Sequence, residues 1–339
     1  MPTLFKSSFT SPATPSIKIS PTLRVGVLRG GPSPEYDVSL KTGAHVLSQL
    51  ALMCRPIDIF ISRDGLWHMD GQVRTPERIL KHVDVVWNAL HGTYGEDGGV
   101  QEILRYLGIP YTGSERIPSA LSMNKWITKQ HALRTHIKTP VSAYVRQTDD
   151  IREKAQEIFN SIPHPLIVKP AMGGSSIGLY FVETYSQILS ALETILSVYD
   201  AAVVEEYISG RDATCAVLND FRGKAVYALP IVEIYKDVNR KTYDQYAKME
   251  KENKHVSPGN FTTAEKKEME RIASHMHNSL GLSHYSRTDF LVSPRRGVYF
   301  LEINSLPELT PHSLFQTSLE SVGITSQDFI AHILTLTLN

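Results

Sequence analysis

The stretch YSRTDFLVSPRRGVYFLEIN, residues 285–304, has the clearest structural pattern in this chain of 339 residues. Two apolar runs, 285–292 and 298–304, are separated by a short segment that contains proline, arginine and glycine. Apolar runs of this length that flank a tight turn predict a β-hairpin. We therefore expect an antiparallel sheet in the C-terminal part of the fold.

Polar side chains interrupt both strands of this hairpin. With the turn between residues 295 and 296, Asp289 faces Glu302, and Arg287 faces Asn304. Side chains alternate between the two faces of a strand, so all four project from one face. Two facing carboxylates repel unless a cation lies between them, and oxygens of Asp, Glu and Asn are ligands that Mg²⁺ prefers. The hairpin predicts a magnesium site, with a solvated sheet face as the alternative.

Composition and charge exclude several classes of protein. The chain has 35 Lys and Arg against 35 Asp and Glu, with 42% hydrophobic and 21% charged residues. A formal charge of zero argues against a general binder of nucleic acid or of anionic membranes, since such proteins need a basic excess. No apolar run approaches the roughly 18 residues of a spanning helix. The proportions are those of a globular protein with two domains or three small ones.

The cysteines and the first residues indicate the compartment. Cys54 and Cys215 lie far apart without metal-ligand spacing, which predicts reduced thiols and neither a disulfide nor a zinc site. Residues 1–22 are rich in Ser, Thr and Pro and contain no acid. This composition predicts a disordered tail, with a weak organelle-targeting segment as the alternative. The cytoplasm is the expected location.

Apolar periodicity predicts an α/β protein with three domains after the tail: 23–122, 123–212 and 213–339. The first is an open parallel α/β domain, the second a small β/α domain and the third an antiparallel-sheet domain. The polar segment 235–260 is too long for an ordinary connection and predicts a lid. The predicted strands are 24–28, 56–61, 83–89, 166–169, 179–182, 202–208, 213–218, 225–234, 285–292 and 298–304, and the main helices are 38–52, 100–107, 124–136, 185–198 and 264–280.

A glycine-rich stretch, KPAMGGSSIG at residues 169–178, lies between two predicted strands. Glycines let backbone N–H groups approach phosphate oxygens, and Lys169 at the strand end supplies a positive charge. The stretch lacks the Gly-Lys-Ser/Thr of a Walker A loop. A hairpin that closes over phosphates is favoured, and an ordinary flexible turn is the alternative.

Acids also interrupt the apolar strand VVEEYI at residues 203–208. An acid on this strand, Glu205, and a second one just after a glycine, Asp212, are suitable acceptors for an adenine amino group and for ribose hydroxyls. An exposed strand end would explain the same pattern.

Seven separated motifs resemble, in order and spacing, those of D-alanine:D-alanine ligases, which are members of the ATP-grasp superfamily. The similarity runs from about residue 24 to the C-terminus and is far more specific than any single motif. The motifs are GGPSPEYDVSL (30–40), ALHGTYGEDGGVQ (89–101), YTGS (111–114), SMNK (122–125), IVKPAMGGSSIG (167–178), SRTDF (286–290) and LEINSLPELTPHS (301–313).

The resemblance implies an ATP-grasp fold in which ATP lies between the central and C-terminal domains with two Mg²⁺ ions, for which Mn²⁺ can substitute. The ATP contacts that it implies are Lys125, Lys169, Glu205, Tyr207 and Asp212. The implied metal ligands are Asp289, Glu302 and Asn304. The implied catalytic residues are Glu35, Ser175, Lys248 and Arg287, and the implied substrate contacts are His91 and Ser313.

Within that set, Glu35 holds the ammonium group of the first D-alanine, and Ser313 contacts the carboxylate of the second. Arg287 stabilises the tetrahedral centre, and Lys248 reaches the γ-phosphate from the lid. Such ligases phosphorylate a carboxylate with ATP and then let a second amine attack the acyl phosphate. The expected function is ADP-forming synthesis of D-alanyl-D-alanine for peptidoglycan, with D-amino acids as small-molecule partners and a homodimer as the assembly.

Two positions depart from the family pattern. Met249 replaces a lid tyrosine that in the family links to Ser175 and Glu35, and methionine cannot donate a proton. Glu308 replaces a glycine whose N–H meets the oxyanion in the family. Two alternatives stay open: a ligase of this family with another acceptor, such as D-lactate or D-serine, and a nucleotide-binding homologue without turnover. His255 is a further candidate for the second-substrate region.

Overall fold

The computed structural model describes residues 19–175, 177–235 and 254–339. These residues form three β-sheets with helices packed against them. In the described parts of the chain, no helix combines the length and the apolar character that crossing a membrane requires.

The parallel pairing predicted for the N-terminal sheet is confirmed for three of its strands, whereas its edge is antiparallel. Its elements are strands β1 (Arg24–Gly30), β2 (Arg55–Ile61), β3 (Trp67–Met69), β4 (Gln72–Val73) and β5 (Val85–Asn88), with helices α1 (Tyr36–Leu50), α2 (Pro76–Leu80), α3 (Gly99–Tyr106) and α4 (Arg116–Met123). The strand order is β4-β3-β2-β1-β5, and β1 pairs in parallel with both β2 and β5. The short antiparallel strands β3 and β4 at the edge were not predicted, because strands of two or three residues are too short to show alternation.

The central sheet is antiparallel and small. It contains β6 (Ser142–Arg146), β7 (Leu166–Pro170), β8 (Tyr180–Val182) and β9 (Ala201–Glu206), with helices α5 (Lys125–Arg134), α6 (Ile151–Ser161) and α7 (Tyr185–Leu196). The strand order is β6-β9-β7-β8. Strands β7 and β8 pair with each other and flank the glycine-rich stretch, which confirms the predicted hairpin at that place.

The C-terminal sheet is antiparallel and carries the hairpin. Its elements are β10 (Arg211–Phe221), β11 (Lys224–Ala228), β12 (Val232–Ile234), β13 (His255–Val256), β14 (Tyr285–Ser293) and β15 (Gly297–Asn304), with helices α8 (Thr263–Ser279), α9 (Leu314–Glu320) and α10 (Ser326–Leu338). The single strand predicted at 225–234 is wrong. It is split into β11 and β12 around Pro230, which has no N–H to give to the ladder.

Strands β14 and β15 form the predicted hairpin. Asp289 pairs with Glu302, and Arg287 pairs with Asn304. The predicted register is therefore confirmed at the four polar residues. Residues that face each other in this way extend from the same side of the sheet.

The predicted turn of the hairpin is wrong, although the register of the polar residues is right. Ser293 pairs with Gly297, so three residues form the tip. A β-bulge corrects the offset: Phe290 pairs with Phe300, and the register shifts by one residue between Phe290 and Asp289. Leu301 is the additional residue of the bulge.

The N-terminal sheet and the C-terminal helices share one hydrophobic core. Trp87 of β5 belongs to the same buried cluster as Phe315 of α9 and Phe329 of α10. The ring of Tyr285, at the start of β14, lies 5.3 Å from that of Phe329 and 5.7 Å from that of Phe315, between centroids. Packing thus fixes strand β14, which also carries Arg287, against the N-terminal sheet.

Candidate active site

A cleft lies between the central sheet and the β14–β15 hairpin. Its walls combine apolar side chains with a few charged groups, as the walls of small-molecule sites do. Apolar side chains of both sheets, among them Ile167 and Leu301, cover part of its wall. The residues singled out in the sequence that line it are Lys125, Lys169, Glu205, Tyr207, Asp212, Arg287, Asp289 and Glu302.

The acids of the hairpin are held by cations and a hydroxyl. Arg287 donates two hydrogen bonds to Asp289, from Nε to Oδ1 at 2.9 Å and from Nη2 to Oδ2 at 2.8 Å. The Thr214 hydroxyl donates a third, to Oδ1 at 2.6 Å. Across the hairpin, the Lys125 ammonium lies 3.7 Å from Oε2 of Glu302. Burial lowers the pKa of Arg287, but Asp289 more than reverses this, so the guanidinium is charged.

The donor set of the hairpin is chemically suitable for a magnesium ion. Asp289 and Glu302 supply carboxylate oxygens, and Asn304 supplies an amide oxygen. Asn304 Oδ1 accepts a hydrogen bond of 2.8 Å from the backbone N–H of Leu306, which orients the amide and leaves its second lone pair. Three hard oxygens on one strand pair are what Mg²⁺ prefers.

Helix α5 brings the first lysine to the cleft. Asn124 caps the helix by accepting from the N–H of Ile127 at 3.1 Å. The N–H of Lys125 donates to the carbonyl of Ala171 at 2.9 Å, and its ammonium donates to the carbonyl of Gly173. The start of α5 is therefore tied to the glycine-rich stretch.

Strand β7 brings the second lysine, beside a buried glutamate. Lys169 Nζ lies 2.8 Å from Oε1 of Glu205, and Lys129 Nζ lies 3.3 Å from the same oxygen. Burial would raise the pKa of Glu205, but Lys129 and Lys169 outweigh burial and lower it. The sequence reasoning missed Lys129. The signal was its spacing of four residues from Lys125, which places both on one face of α5.

Tyr207 and Asp212 follow strand β9 toward the C-terminal sheet. The N–H of Tyr207 donates to the carbonyl of Pro165 at 2.8 Å, and its ring lies edge-on to Phe181 at 5.2 Å. Asp212 lies at the start of β10, paired with Ile234. Both residues line the same cleft as the lysines, at the end that joins the two sheets.

Glu35 and Ser175 meet although they are 140 residues apart in sequence. The Ser175 hydroxyl donates to Oε1 of Glu35. Ser175 has a positive φ of 52°, an uncommon conformation that turns the glycine-rich stretch toward the N-terminal sheet. A Cβ on Gly92 would lie 2.7 Å from Oε2 of Glu35, and one on Gly174 would lie 2.8 Å from it. Glycine at both positions therefore lets the loops approach this carboxylate without displacing its side chain.

His91 is buried and has two hydrogen-bonding partners. Its Nε2 lies 3.0 Å from the Thr42 hydroxyl, and its Nδ1 lies 3.3 Å from Oε1 of Glu96. Burial alone would lower the pKa of His91, but Glu96 and the more distant Glu35 and Glu308 raise it. The sequence reasoning did not single out Glu96. An acid five residues after a histidine in the glycine-rich HGTYGED was the available signal.

The loop after β15 leads from Asn304 to helix α9 and carries Glu308 and Ser313. Ser313 caps α9 by accepting from the N–H of Gln316 at 3.2 Å. Oε1 of Glu308 accepts from the Thr310 hydroxyl at 2.6 Å. His255 Nε2 lies 2.8 Å from the hydroxyl of Thr317, one turn after Ser313. Two further predicted residues, Lys248 and Met249, lie outside the described residues.

The ends of the predicted lid are held together by one carboxylate. Oε2 of Glu233 accepts from the N–H of Asn260 at 2.8 Å and from the Tyr235 hydroxyl at 3.3 Å. Its Oε1 accepts from Arg211 at 3.2 Å. Residues 235 and 260 are thus brought close to each other at the edge of the C-terminal sheet.

Two family models match this chain. The model described as "D-ala D-ala ligase C-terminus" matches residues 134–335, and the one described as "D-ala D-ala ligase N-terminus" matches residues 70–114. The first alone covers more than half of the chain.

Similar proteins agree over nearly the full length. The D-alanine--D-alanine ligase of Pelotomaculum thermopropionicum is 33% identical over 326 residues, which cover 94% of this chain and 97% of that protein. That of Geotalea uraniireducens is 36% identical, with 92% and 95% covered. The crystal structure of VanG D-Ala:D-Ser ligase from Enterococcus faecalis is similar with a TM-score of 0.80 and 26% identity, and covers 93% of this chain and 99% of that chain. On this evidence, the chain belongs to the D-alanine--D-alanine ligase family and has its ATP-grasp fold.

Proposed function

We propose that this ligase joins two D-alanines, through an acyl phosphate made from ATP, to give D-alanyl-D-alanine for peptidoglycan. One observation carries the proposal: the facing pair Asp289 and Glu302 lies in one cleft with Arg287 and with the two lysines, Lys125 and Lys169. That cleft thus combines acids for a cation with bases for phosphates. Glu35, the acid proposed to bind the ammonium group of the amino acid, accepts a hydrogen bond from Ser175 of the glycine-rich stretch.

The first step forms the acyl phosphate. The carboxylate oxygen of one D-alanine attacks the γ-phosphorus of ATP, the bond to ADP breaks, and ADP leaves. Lys125 and Lys169 bind the phosphates and offset their charge, while Tyr207, Glu205 and Asp212 surround the nucleoside end of the cleft. Mg²⁺, held by Asp289, Glu302 and Asn304, would supply charge neutralisation at the phosphates.

The second step forms the amide. The amine of the second D-alanine attacks the acyl carbon, the C–N bond forms, the C–O bond to phosphate breaks, and the nitrogen loses a proton. Arg287 stabilises the negative oxygen that develops, an effect of about 2.7–4 kcal/mol where such donors have been removed. Glu35 orients the first amino acid by its ammonium group with His91 beside it, and Ser313 binds the carboxylate of the second.

An assay of phosphate release tests this function. The protein is incubated with ATP, Mg²⁺ and D-alanine, and the product mass is measured. We expect one phosphate for each D-alanyl-D-alanine formed. Tight ATP binding with no turnover on any D-acid would contradict the ligase function and favour a nucleotide-binding homologue.

A second acceptor is the alternative within the same chemistry. Glu308 places an acid near Arg287 and His91, where its charge raises the pKa of both, and the similar VanG structure is named a D-Ala:D-Ser ligase. The same assay with D-serine or D-lactate added decides between acceptors. A mixed product that forms faster than D-alanyl-D-alanine would favour the alternative.

The assembly and the cellular location of the protein are also proposals. We infer that the ligase acts as a homodimer and in the cytoplasm, where ATP is supplied, and the family likeness is the support for both. Light scattering of the purified protein would measure the assembly, and a mass of one chain would contradict the dimer.

A further inference from the structure

Lys129 is a charged side chain buried completely behind the proposed ATP site. It lies on helix α5, one turn after Lys125, and its exposed fraction is 0%. Its ammonium lies 3.3 Å from Oε1 of Glu205 and donates to the Thr139 hydroxyl at 2.8 Å. A lysine is almost never fully buried unless it is paired. Glu205 lies on strand β9 of the central sheet, and Thr139 lies in the segment between α5 and β6.

Glu205 is shared between two ammonium groups. Lys169 lies 2.8 Å from the oxygen that Lys129 also contacts, and Glu205 is only 3% exposed. Burial lowers the pKa of Lys129 to about 8, although Glu205 opposes the effect, so Lys129 is mostly charged at neutral pH. Lys129 and Lys169 carry two positive charges and Glu205 carries one negative charge, so these three side chains have a net charge of +1.

The excess charge faces the cleft through Lys169. Lys169 and Glu205 line the cleft, and Lys129 is not among the residues that do. A single glutamate paired with Lys169 alone would neutralise it at short distance. Because Lys129 competes for the same carboxylate oxygen, Lys169 keeps positive potential toward the cleft.

We propose that Lys129 is a positioning residue for the nucleotide phosphates: it fixes Glu205 and shares that carboxylate with Lys169, so that Lys169 presents net positive charge to the phosphates of ATP. The inference rests on the proposed ATP site and adds to it a residue that touches no substrate. A lysine with only a structural role would stabilise the fold without distinguishing phosphorylated from unphosphorylated ligands.

The test compares ligands that differ only in phosphates. Binding of ATP and ADP with Mg²⁺ is measured by calorimetry, and binding of adenosine by its competition with ADP. In Lys129→Gln, which keeps a hydrogen-bond donor and loses the charge, we expect about tenfold weaker binding of ATP and ADP and a much smaller loss for adenosine, which reaches Lys129 only through the acceptor Glu205. Lys129→Arg, which keeps the charge, should recover most of the loss. In turnover, the KM for ATP should rise, and the KM for D-alanine should not.

Two controls separate the explanations. Lys154→Gln removes a charge at a half-exposed position of helix α6, where Lys154 pairs with Glu157 at 2.6 Å. This change should alter none of the affinities. In a Glu205→Gln background, Lys129→Gln should add little further loss of ATP affinity, because Lys129 acts through Glu205.

Several outcomes would overturn the inference. Equal weakening of ATP, ADP and adenosine would mean a structural role, and unchanged ATP affinity in Lys129→Gln would mean no role. Should that variant not fold, Thr139→Ala, which removes only the second partner of Nζ, is measured instead. About threefold weaker binding of ADP is then expected, with a smaller loss for adenosine. Failure of the unaltered protein to bind ATP would contradict the proposed function itself.

Discussion

The carboxylate of Asp289 has two roles in this site: it pairs with Arg287, and it is a proposed metal ligand. It lies opposite Glu302, accepts two hydrogen bonds from Arg287 and accepts a third from Thr214. Its negative charge holds the arginine proposed for the oxyanion, and its oxygens are also proposed for the metal. A change of this side chain should therefore affect chemistry much more than folding.

Replacement of Asp289 by asparagine tests that expectation. Asp289→Asn keeps the size of the side chain and an acceptor for Thr214, and loses the charge. We expect kcat to fall roughly 100-fold or more, since even groups that only support metal ligands cost 10–100-fold. Phosphate release measures the rate, and circular dichroism checks the fold. Asp220→Asn, at an exposed position of the same sheet, should behave as the unaltered protein; a normal rate in Asp289→Asn would rule out the hairpin as the metal site.

Ser175 provides the second prediction at the scale of a residue. Its hydroxyl donates to Glu35, so Ser175→Ala removes one support of the acid proposed to hold the first D-alanine. Hydrogen bonds to charged groups contribute about 1.5–3 kcal/mol, so the KM for the first D-alanine should rise tenfold or more. The KM for ATP should stay the same. A rise of the KM for ATP alone would mean that Ser175 contacts the phosphates and not the amino acid.

At the scale of an element, the β14–β15 hairpin depends on its bulge. Pairing without the bulge would continue the register of Phe290 with Phe300 and would bring Leu301 opposite Asp289. Side chains of neighbouring residues point to opposite faces of a sheet. The one-residue bulge therefore determines that the two carboxylates face each other.

Gly297, at the end of the three-residue tip, permits the turn and gives a prediction. Its φ is +79°, and a Cβ there would meet nothing within 4 Å. Gly297→Ala should thus lower the free energy of unfolding by about 1 kcal/mol through backbone strain alone. Denaturant unfolding measures it, and Arg295→Ala in the same exposed tip is the control. An unchanged stability would mean that the tip adopts another turn.

The same hairpin shows what sequence reasoning can and cannot predict. Alternation and the polar residues were enough to pair Asp289 with Glu302, because only one register brings the acids together. The turn was wrong because the position of a bulge depends on backbone geometry and not on side-chain pattern. Lys129 was missed because its four-residue spacing from Lys125 does not reveal that the side chain is buried, and its partner Glu205 is distant in sequence. The contact of Glu35 with Ser175, 140 residues later in the chain, depends on tertiary packing that no local pattern shows.

At the scale of the whole molecule, buried histidines link stability to pH. His277 is fully buried, with Nδ1 2.8 Å from the Ser286 hydroxyl and Nε2 3.1 Å from Oδ1 of Asn219. Burial lowers its pKa to about 4 from 6.5. The unfolded chain therefore binds a proton below about pH 6.5 that the folded chain does not bind until about pH 4. Stability must fall as the pH falls through that window.

A histidine variant measures this contribution. Between pH 7 and pH 4, His277 should cost the folded state up to about 3 kcal/mol, so His277→Gln should flatten the dependence of unfolding free energy on pH. His82→Gln, at an exposed position, should leave the slope unchanged. Parallel slopes for His277→Gln and the unaltered protein would mean that the histidine becomes charged without unfolding.

The core shared by the two ends of the chain has a consequence for biosynthesis. Trp87 and the rest of the N-terminal sheet emerge early from the ribosome, whereas Phe315 and Phe329, which complete their core, are translated after the central and C-terminal sheets. Domains that fold as independent units can do so in order of synthesis. Here the first sheet has to keep apolar surface uncovered until late in translation. Nascent chains of this ligase should therefore depend on chaperones for longer than the size of that sheet alone suggests.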